Sequence, residues 1–319
     1  HLPTALSVVR PHPPPCAQCA NYNESARASY MGLEDPTMRL RTPIAAALLL
    51  IAALASAEPR EAPATGAADE PWACRELCGM SCEGELEEFL KTAEVVGIED
   101  IGAGITHPRR VTLQKDGRQA RAIFKTVDIT STELHYTNCL EQVFTDRYVY
   151  EVAAYRIDRM IGIGLVPVTV LRTIDGELGS VQLWIEDAMP MQDAFDQDLP
   201  VGDAELLLQR LMLMYLLDAM IYNIDRNFGN ILVRPERDHL FLIDHSRCFR
   251  TAKKLPPLRE ERPIPVPERV ARGLRELDLE ALSAELDGLL KPQQIRAIEA
   301  RRRLLLEELD RRHALPAVG

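Results

Sequence analysis

Positive charge is in short supply in this sequence. Lys and Arg number 37 against 48 Asp and Glu, a formal net charge of −11. An acidic body of that kind repels phosphate backbones and anionic headgroups, which argues against nucleic-acid partners and electrostatic membrane docking. Long apolar runs are also missing. A helix needs about 20 apolar residues to cross roughly 30 Å of hydrocarbon. The run Ile44–Leu54 is too short, and the run Leu206–Met220 contains Gln209 and Arg210, with Asp218 inside it. No integral span is expected in the mature chain. Histidine is absent beside Cys74, Cys78 and Cys82, and no C-x-x-C pair occurs in residues 58–319. A thiolate metal cluster is therefore disfavoured against disulfides. No internal repeat is visible.

What is present suits a globular protein of one or two domains: 319 residues, 46% hydrophobic and 27% charged. Residues 1–37 are Pro-rich and aperiodic, and are expected to be an extension that is not part of the native protein. Met38-Arg39-Leu40-Arg41, the apolar run to Leu54 and Ala55-Ser56-Ala57 form the three-part pattern of an export signal over residues 38–57. Cleavage is expected after Ala57, which makes the protein periplasmic or secreted. Residues 58–83 then form a spacer carrying the first cysteines. Export makes at least one disulfide the expectation among Cys74, Cys78, Cys82, Cys139 and Cys248.

The stretch Leu216–Phe249 carries the chemistry. An apolar helix feeds the polar turn Asn223–Asn230, then a short strand, a charged turn and a second strand ending on Asp244. Asp225 and Asn230 are five apart, and Asp244 comes nineteen after Asp225. That spacing follows the kinase pattern in which one carboxylate meets the attacking hydroxyl, while an amide and a second carboxylate hold metal ions on phosphates. Asp, Asn and Gly are also ordinary turn residues, so the reading depends on what lies upstream.

Upstream, Gly102-Ala103-Gly104 and Thr106 form a degenerate phosphate loop lacking a third glycine. Asp116-Gly117 predicts a hairpin, and its second strand carries Ala122-Ile123-Phe124-Lys125, the position of a phosphate-binding lysine. A helix is predicted over residues 145–161. It brings Glu151 towards Lys125, with Glu141 as the competing partner. A second hairpin turns at Asp175-Gly176, and Trp184-Ile185-Glu186 is the expected hinge, placing Trp184 and Glu186 beside a nucleotide. Residues 127–139 read as a loop and residues 189–200 as an acidic connector. Beyond the site, Arg247, Arg250, Lys253 and Lys254 form a basic cluster, and three helices end the chain. The run Arg301–Arg303 reads as a solvated helix face.

Taken together, N-x-D-R-N-x-G-N-I-L and L-I-D-H-S resemble the atypical kinases of the phosphatidylinositol 3-/4-kinase-like superfamily. They are also similar to the secretory-pathway protein kinases of the Golgi casein-kinase type. The resemblance covers about residues 95–249. It implies an α+β, two-lobed protein-kinase-like fold, with a small β-rich N-terminal lobe over residues 84–187 and a mostly helical C-terminal lobe over 188–319. It also implies ATP with Mg²⁺ or Mn²⁺, Asp225 as the catalytic carboxylate, and Asn230 and Asp244 as metal ligands. Lys125 and Glu151 would be the phosphate-binding pair. The acceptor would be a protein hydroxyl, with a lipid head group open. A pseudokinase acting as a binding module, or transfer of another group such as AMP, are the rival readings. Asp-His-Ser stands where D-F-G would, and no A-P-E follows. These departures bear on activation-loop regulation more than on catalysis.

Overall fold

The computed structural model describes residues 83–102, 108–131, 144–199, 203–234, 239–256 and 266–312. Apart from Ser131 and Phe144, they belong to one compact unit, Ile51–Thr130 and Thr145–Gly319. The export pattern, Cys74, Cys78, Cys82, Cys139, Glu141, Gly104 and Thr106 lie outside the described residues.

The small lobe starts with helix α1 (Glu83–Thr92) and strands β1 (Glu94–Asp100), β2 (Arg109–Lys115) and β3 (Arg118–Lys125). After β4 (Asp128–Ser131) and β5 (Phe144–Arg147) come helix α2 (Tyr148–Met160), β6 (Thr169–Ile174) and β7 (Glu177–Leu183). A five-stranded antiparallel sheet runs in the order β1-β2-β3-β7-β6. Both Asp-Gly turns have positive φ at each residue: 51° and 75° at Asp116 and Gly117, 51° and 82° at Asp175 and Gly176. That is the geometry which matches the right-handed twist of the flanking strands, and it explains why the hairpins were legible.

Helix α2 packs against β6 and β7 through the buried Val149, Val152, Ala153 and Ile157. It begins three residues later than its sequence pattern suggests, because strand contacts claim the preceding backbone. Arg147 N donates to Ser246 O at 3.0 Å and Tyr148 N to Val127 O at 2.8 Å. For the same reason the front of the expected 127–139 loop is strand β4, paired with β5.

The second lobe holds β8 (Met189–Pro190), α3 (Met191–Asp196), α4 (Ala204–Ile221), β9 (Ile231–Arg234), β10 (His239–Leu242), α5 (Glu268–Glu276), α6 (Leu279–Glu285) and α7 (Pro292–Arg311). The acidic connector is therefore a short strand and helix, with β8 joining the sheet β10-β9-β8. Asp203 caps α4 by accepting from Glu205 N at 2.9 Å and Leu206 N at 3.0 Å. Helix α4 is apolar on nearly all sides because α7 and β10 cover it. Among the described residues, no helix is long and apolar enough to cross a membrane.

The arginine run on α7 needs a correction. Arg301 is fully buried and Arg302 is buried. Arg301 donates to the carbonyls of Met220 (2.7 Å), Arg250 (3.1 Å) and Ala252. Arg302 pairs with Glu299 and donates to Leu274 O at 2.6 Å. Of the three, Arg303 alone is solvated, at 69% side-chain exposure. An arginine fork can satisfy several carbonyls at once, and three helical positions in a row cannot all face water.

Candidate active site

Lys125 ends β3. Alternation sends Ala120, Ala122 and Phe124 into the core and Lys125 to the opposite face. Glycine at position 179 lets β7 lie close: a Cβ there would collide with the Phe124 ring and the Lys125 carbonyl. Lys125 Nζ donates to Glu151 Oε1 at 2.5 Å and to Asp244 Oδ1 at 3.0 Å. Burial works against the lysine's charge, but Glu151 and then Asp244 outweigh it and hold its pKa above the ordinary value. Glu151 is 1% exposed. Burial opposes its charge too, yet Lys125, followed by His245, holds the carboxyl well below the usual carboxylate range.

The polar loop starts where α4 stops. Tyr222 has φ 54°, a conformation that costs a bulky side chain energy, and its backbone N–H caps the helix on Asp218 O. Asn223 then donates its amide to Asp218 Oδ1 and accepts from Asp225 N, both at 2.9 Å. Asp225 O accepts from the amides of Asn227 and Asn230, each at 3.0 Å. These bonds leave the Asp225 carboxylate half-exposed, with Arg247 Nη1 at 3.4 Å from Oδ2. Burial raises the Asp225 pKa, Arg247 lowers it, and Asp244 and Asp146 raise it, for a net upward shift.

Asp244 follows β10 with φ 59°, a region in which Asp is among the tolerated residues. Its Oδ1 also accepts from Ser246 Oγ at 3.3 Å. The next residue, His245, is fully buried. Arg226 ties the two loops together. It donates to Asn230 O at 2.6 Å and Ile243 O at 2.9 Å, the carbonyls beside the two expected metal ligands. Its other face pairs with Asp218 through Nε at 2.9 Å and Nη2 at 3.1 Å.

The remaining expected positions are more scattered. Gly102 is exposed with φ 64°, and its N–H meets Asp100 Oδ1 at 2.9 Å. Trp184 lies between Arg110 and Arg121, each guanidinium 5.3 Å from its ring centroid. The Glu186 carboxylate pairs with Arg121, and its carbonyl accepts from Arg234 Nε at 2.8 Å. Cys248 is free and buried, and burial pushes its thiol up.

A divalent cation suits this donor set. Among the described residues no group of three or more His, Cys, Asp and Glu forms a cage. Asp244 offers a carboxylate, and Asn230, with its amide nitrogen committed to Asp225 O, offers an oxygen. Two hard oxygen donors fit a small cation that keeps waters and takes its other ligands from phosphates.

The arrangement agrees with what the chain is similar to. The family model "Phosphatidylinositol 3- and 4-kinase" matches residues 207–296, the span from α4 through both loops into α7. Among solved structures, the Golgi casein kinase with Mn/ADP bound aligns at TM-score 0.50 and 15% identity, covering 76% of this chain and 80% of that one. Hydra Fam20 with sugar aligns at TM-score 0.51 and 14% identity, covering 72% and 90%. The fold is that of an atypical kinase. A curated relative, protein Rv2133c of Mycobacterium tuberculosis, is 29% identical over 33% of this chain and 48% of its own length. The chain thus spans about half of that relative. In kinase terms, β3 and α2 bring the Lys125–Glu151 pair together, and the second lobe brings Asp225, Asn230 and Asp244 into one region. Arg226, His245 and Arg247 complete it. Sequence reading passed over Arg226 and Asp218, although an aspartate in the apolar helix α4 was the available signal.

Proposed function

We propose that the chain is an exported, ATP-dependent phosphotransferase acting on a protein hydroxyl. The observation that carries the reading is Lys125 Nζ bridging Glu151 at 2.5 Å and Asp244 at 3.0 Å. A solvated strand lysine would have no reason to meet a buried helix carboxylate and the aspartate beyond β10 together. Lys125 would hold the α- and β-phosphates, with Glu151 fixing its direction. Asp225 would orient the acceptor hydroxyl and take its proton. The acceptor oxygen bonds to the γ-phosphorus as the bond from that phosphorus to the bridging oxygen breaks, and ADP leaves with the electron pair. Asp244 and Asn230 would hold Mg²⁺ or Mn²⁺, which supplies charge neutralisation on the phosphates. Gly102, Gly104 and Thr106 are assigned to the phosphate side of the nucleotide, and Trp184 and Glu186 to its base side.

A phosphoinositide-type lipid acceptor is the second reading, favoured by the family model over residues 207–296. The protein acceptor is preferred because the export pattern at 38–57 directs the site to the secretory side of a membrane. Purified mature chain with labelled ATP, Mg²⁺ or Mn²⁺, acidic protein and phosphoinositide vesicles separates the readings. Label on protein supports the first and label on lipid the second. Nucleotide binding without any transfer makes the chain a pseudokinase. Export has its own test: N-terminal sequencing should begin at or near Glu58. Peptide mapping should find a disulfide among Cys74, Cys78, Cys82 and Cys139, since Cys248 is a buried free thiol.

A further inference from the structure

Arg226 is fully committed as a donor. Nε and one Nη2 hydrogen go to Asp218, and both Nη1 hydrogens go to the carbonyls of Asn230 and Ile243. The one donor left points from Nη2 to His245 Nε2 at 2.9 Å. A guanidinium has no acceptor atom and does not lose its proton. His245 Nε2 must therefore accept, and the ring proton must sit on Nδ1. Nδ1 in turn faces Glu151 Oε2 at 3.3 Å, and the backbone N–H of His245 meets the same oxygen at 3.0 Å.

The geometry assigns His245 as a positioning residue: an Nδ1–H imidazole that accepts from Arg226 at Nε2 and clamps Glu151 of α2 to the loops bearing Asn230 and Asp244. This rests on the phosphotransferase reading of the site and goes beyond it. A phenylalanine at this place could fill the space but could neither accept from Arg226 nor donate to Glu151. The histidine converts a contact that is only packed into one with direction on both sides. The consequence is that the Lys125–Glu151 pair is held in place from inside the core.

The test uses the full mature chain, ¹⁵N-labelled at histidine, with His245→Phe and His245→Asn. The wild-type spectrum at one neutral pH should contain a buried Nδ1–H imidazole that disappears in both variants. Asparagine keeps a donor towards Glu151, and phenylalanine keeps neither bond. His245→Phe should lose about 10–100-fold in kcat/KM for MgATP, the usual effect of removing a group that orients another. The loss should fall on KM for ATP, and His245→Asn should recover most of it. An Nε2–H or doubly protonated ring overturns the assignment, as does His245→Phe with wild-type KM and kcat. If the wild-type chain transfers no phosphate, the phosphotransferase reading fails on its own. The tautomer then decides the clamp without any activity, and stability of His245→Asn above His245→Phe supports it.

Discussion

Arg247 Nη1 stands 3.4 Å from Asp225 Oδ2 and its Nε 3.8 Å from Asp146 Oδ2, so one guanidinium spans the half-exposed Asp225 and the buried Asp146. Burial is the larger influence on Asp225 and raises its pKa; Arg247 pulls the other way. On the proposed function Asp225 would act as a base when ionised, so turnover should fall as pH drops through its pKa. Arg247→Ala removes the lowering influence, and the acid limb of kcat/KM should move to higher pH. Arg247→Lys should move it less. A pH–rate profile with an unmoved acid limb would show that the ion pair does not govern Asp225.

Substitutions at the loop pair should separate transfer from binding. Asp225→Ala should lower turnover by about 10²–10³-fold, the scale for losing one well-placed polar group, with ADP binding nearly unchanged in calorimetry. Asp244→Ala should weaken metal-dependent ADP binding as well as turnover. Asn230→Ala should behave as a milder Asp244→Ala and be partly restored by raising Mn²⁺. Wild-type transfer in both aspartate variants would remove the loops from the chemistry.

Lys125→Met should cost stability as well as activity. It leaves Glu151, 1% exposed, as a buried carboxylate without its cation, and breaking such a pair costs roughly 3–5 kcal/mol. In the wild type the Glu151 pKa is depressed, so its contribution is present at neutral pH and is lost as pH falls through the folded value. In the variant, burial acts with less opposition and the folded pKa rises. Protonation on acidification then relieves the buried charge. The deficit in Tm relative to wild type should be largest near neutrality and shrink towards about pH 5, below which an ordinary carboxylate itself titrates. A pH-independent deficit would refute this account.

The arginine run offers a contrast within one turn of helix. Burial lowers the Arg301 pKa to about 10, and its guanidinium serves three carbonyls around the start of the polar loop and residues 250–252. Arg301→Met leaves those acceptors unpaired, at about 1–3 kcal/mol for each that water cannot reach. Arg303→Ala should stay within about 0.5 kcal/mol of wild type. Urea unfolding of the two variants, side by side, checks the difference.

How much could be read beforehand depends on the range of the interaction. Both hairpins were legible because Asp-Gly imposes its turn through φ alone. The five-residue step from Asp225 to Asn230 was legible because a tight loop fixes which atoms can meet across it. The late start of α2 was hidden, since the backbone N–H groups of Arg147 and Tyr148 donate to the distant carbonyls of Ser246 and Val127, and β4 was hidden because its partner is β5. No local pattern encodes such a bond. Export, the disulfide and the residues at Gly104 and Thr106 still rest on sequence reasoning.

By itself, then, the sequence determined the order of the elements, the strand alternation that puts Lys125 on the same face as Ile123, and the loop that carries Asp225 and Asn230. Each of these follows from neighbours a few residues apart. Tertiary structure alone decided that Lys125 also meets Asp244 across 119 residues and that Glu151 meets His245 across 94. It also decided that Arg226 spends its donors on Asp218 of α4 and on the two loops, and that Arg301 lies inside the protein while Arg303 lies outside. A charged side chain reads the same in sequence whether water or a carbonyl answers it. Only the packed chain shows which one does, because burial withdraws the water and makes the internal partner obligatory.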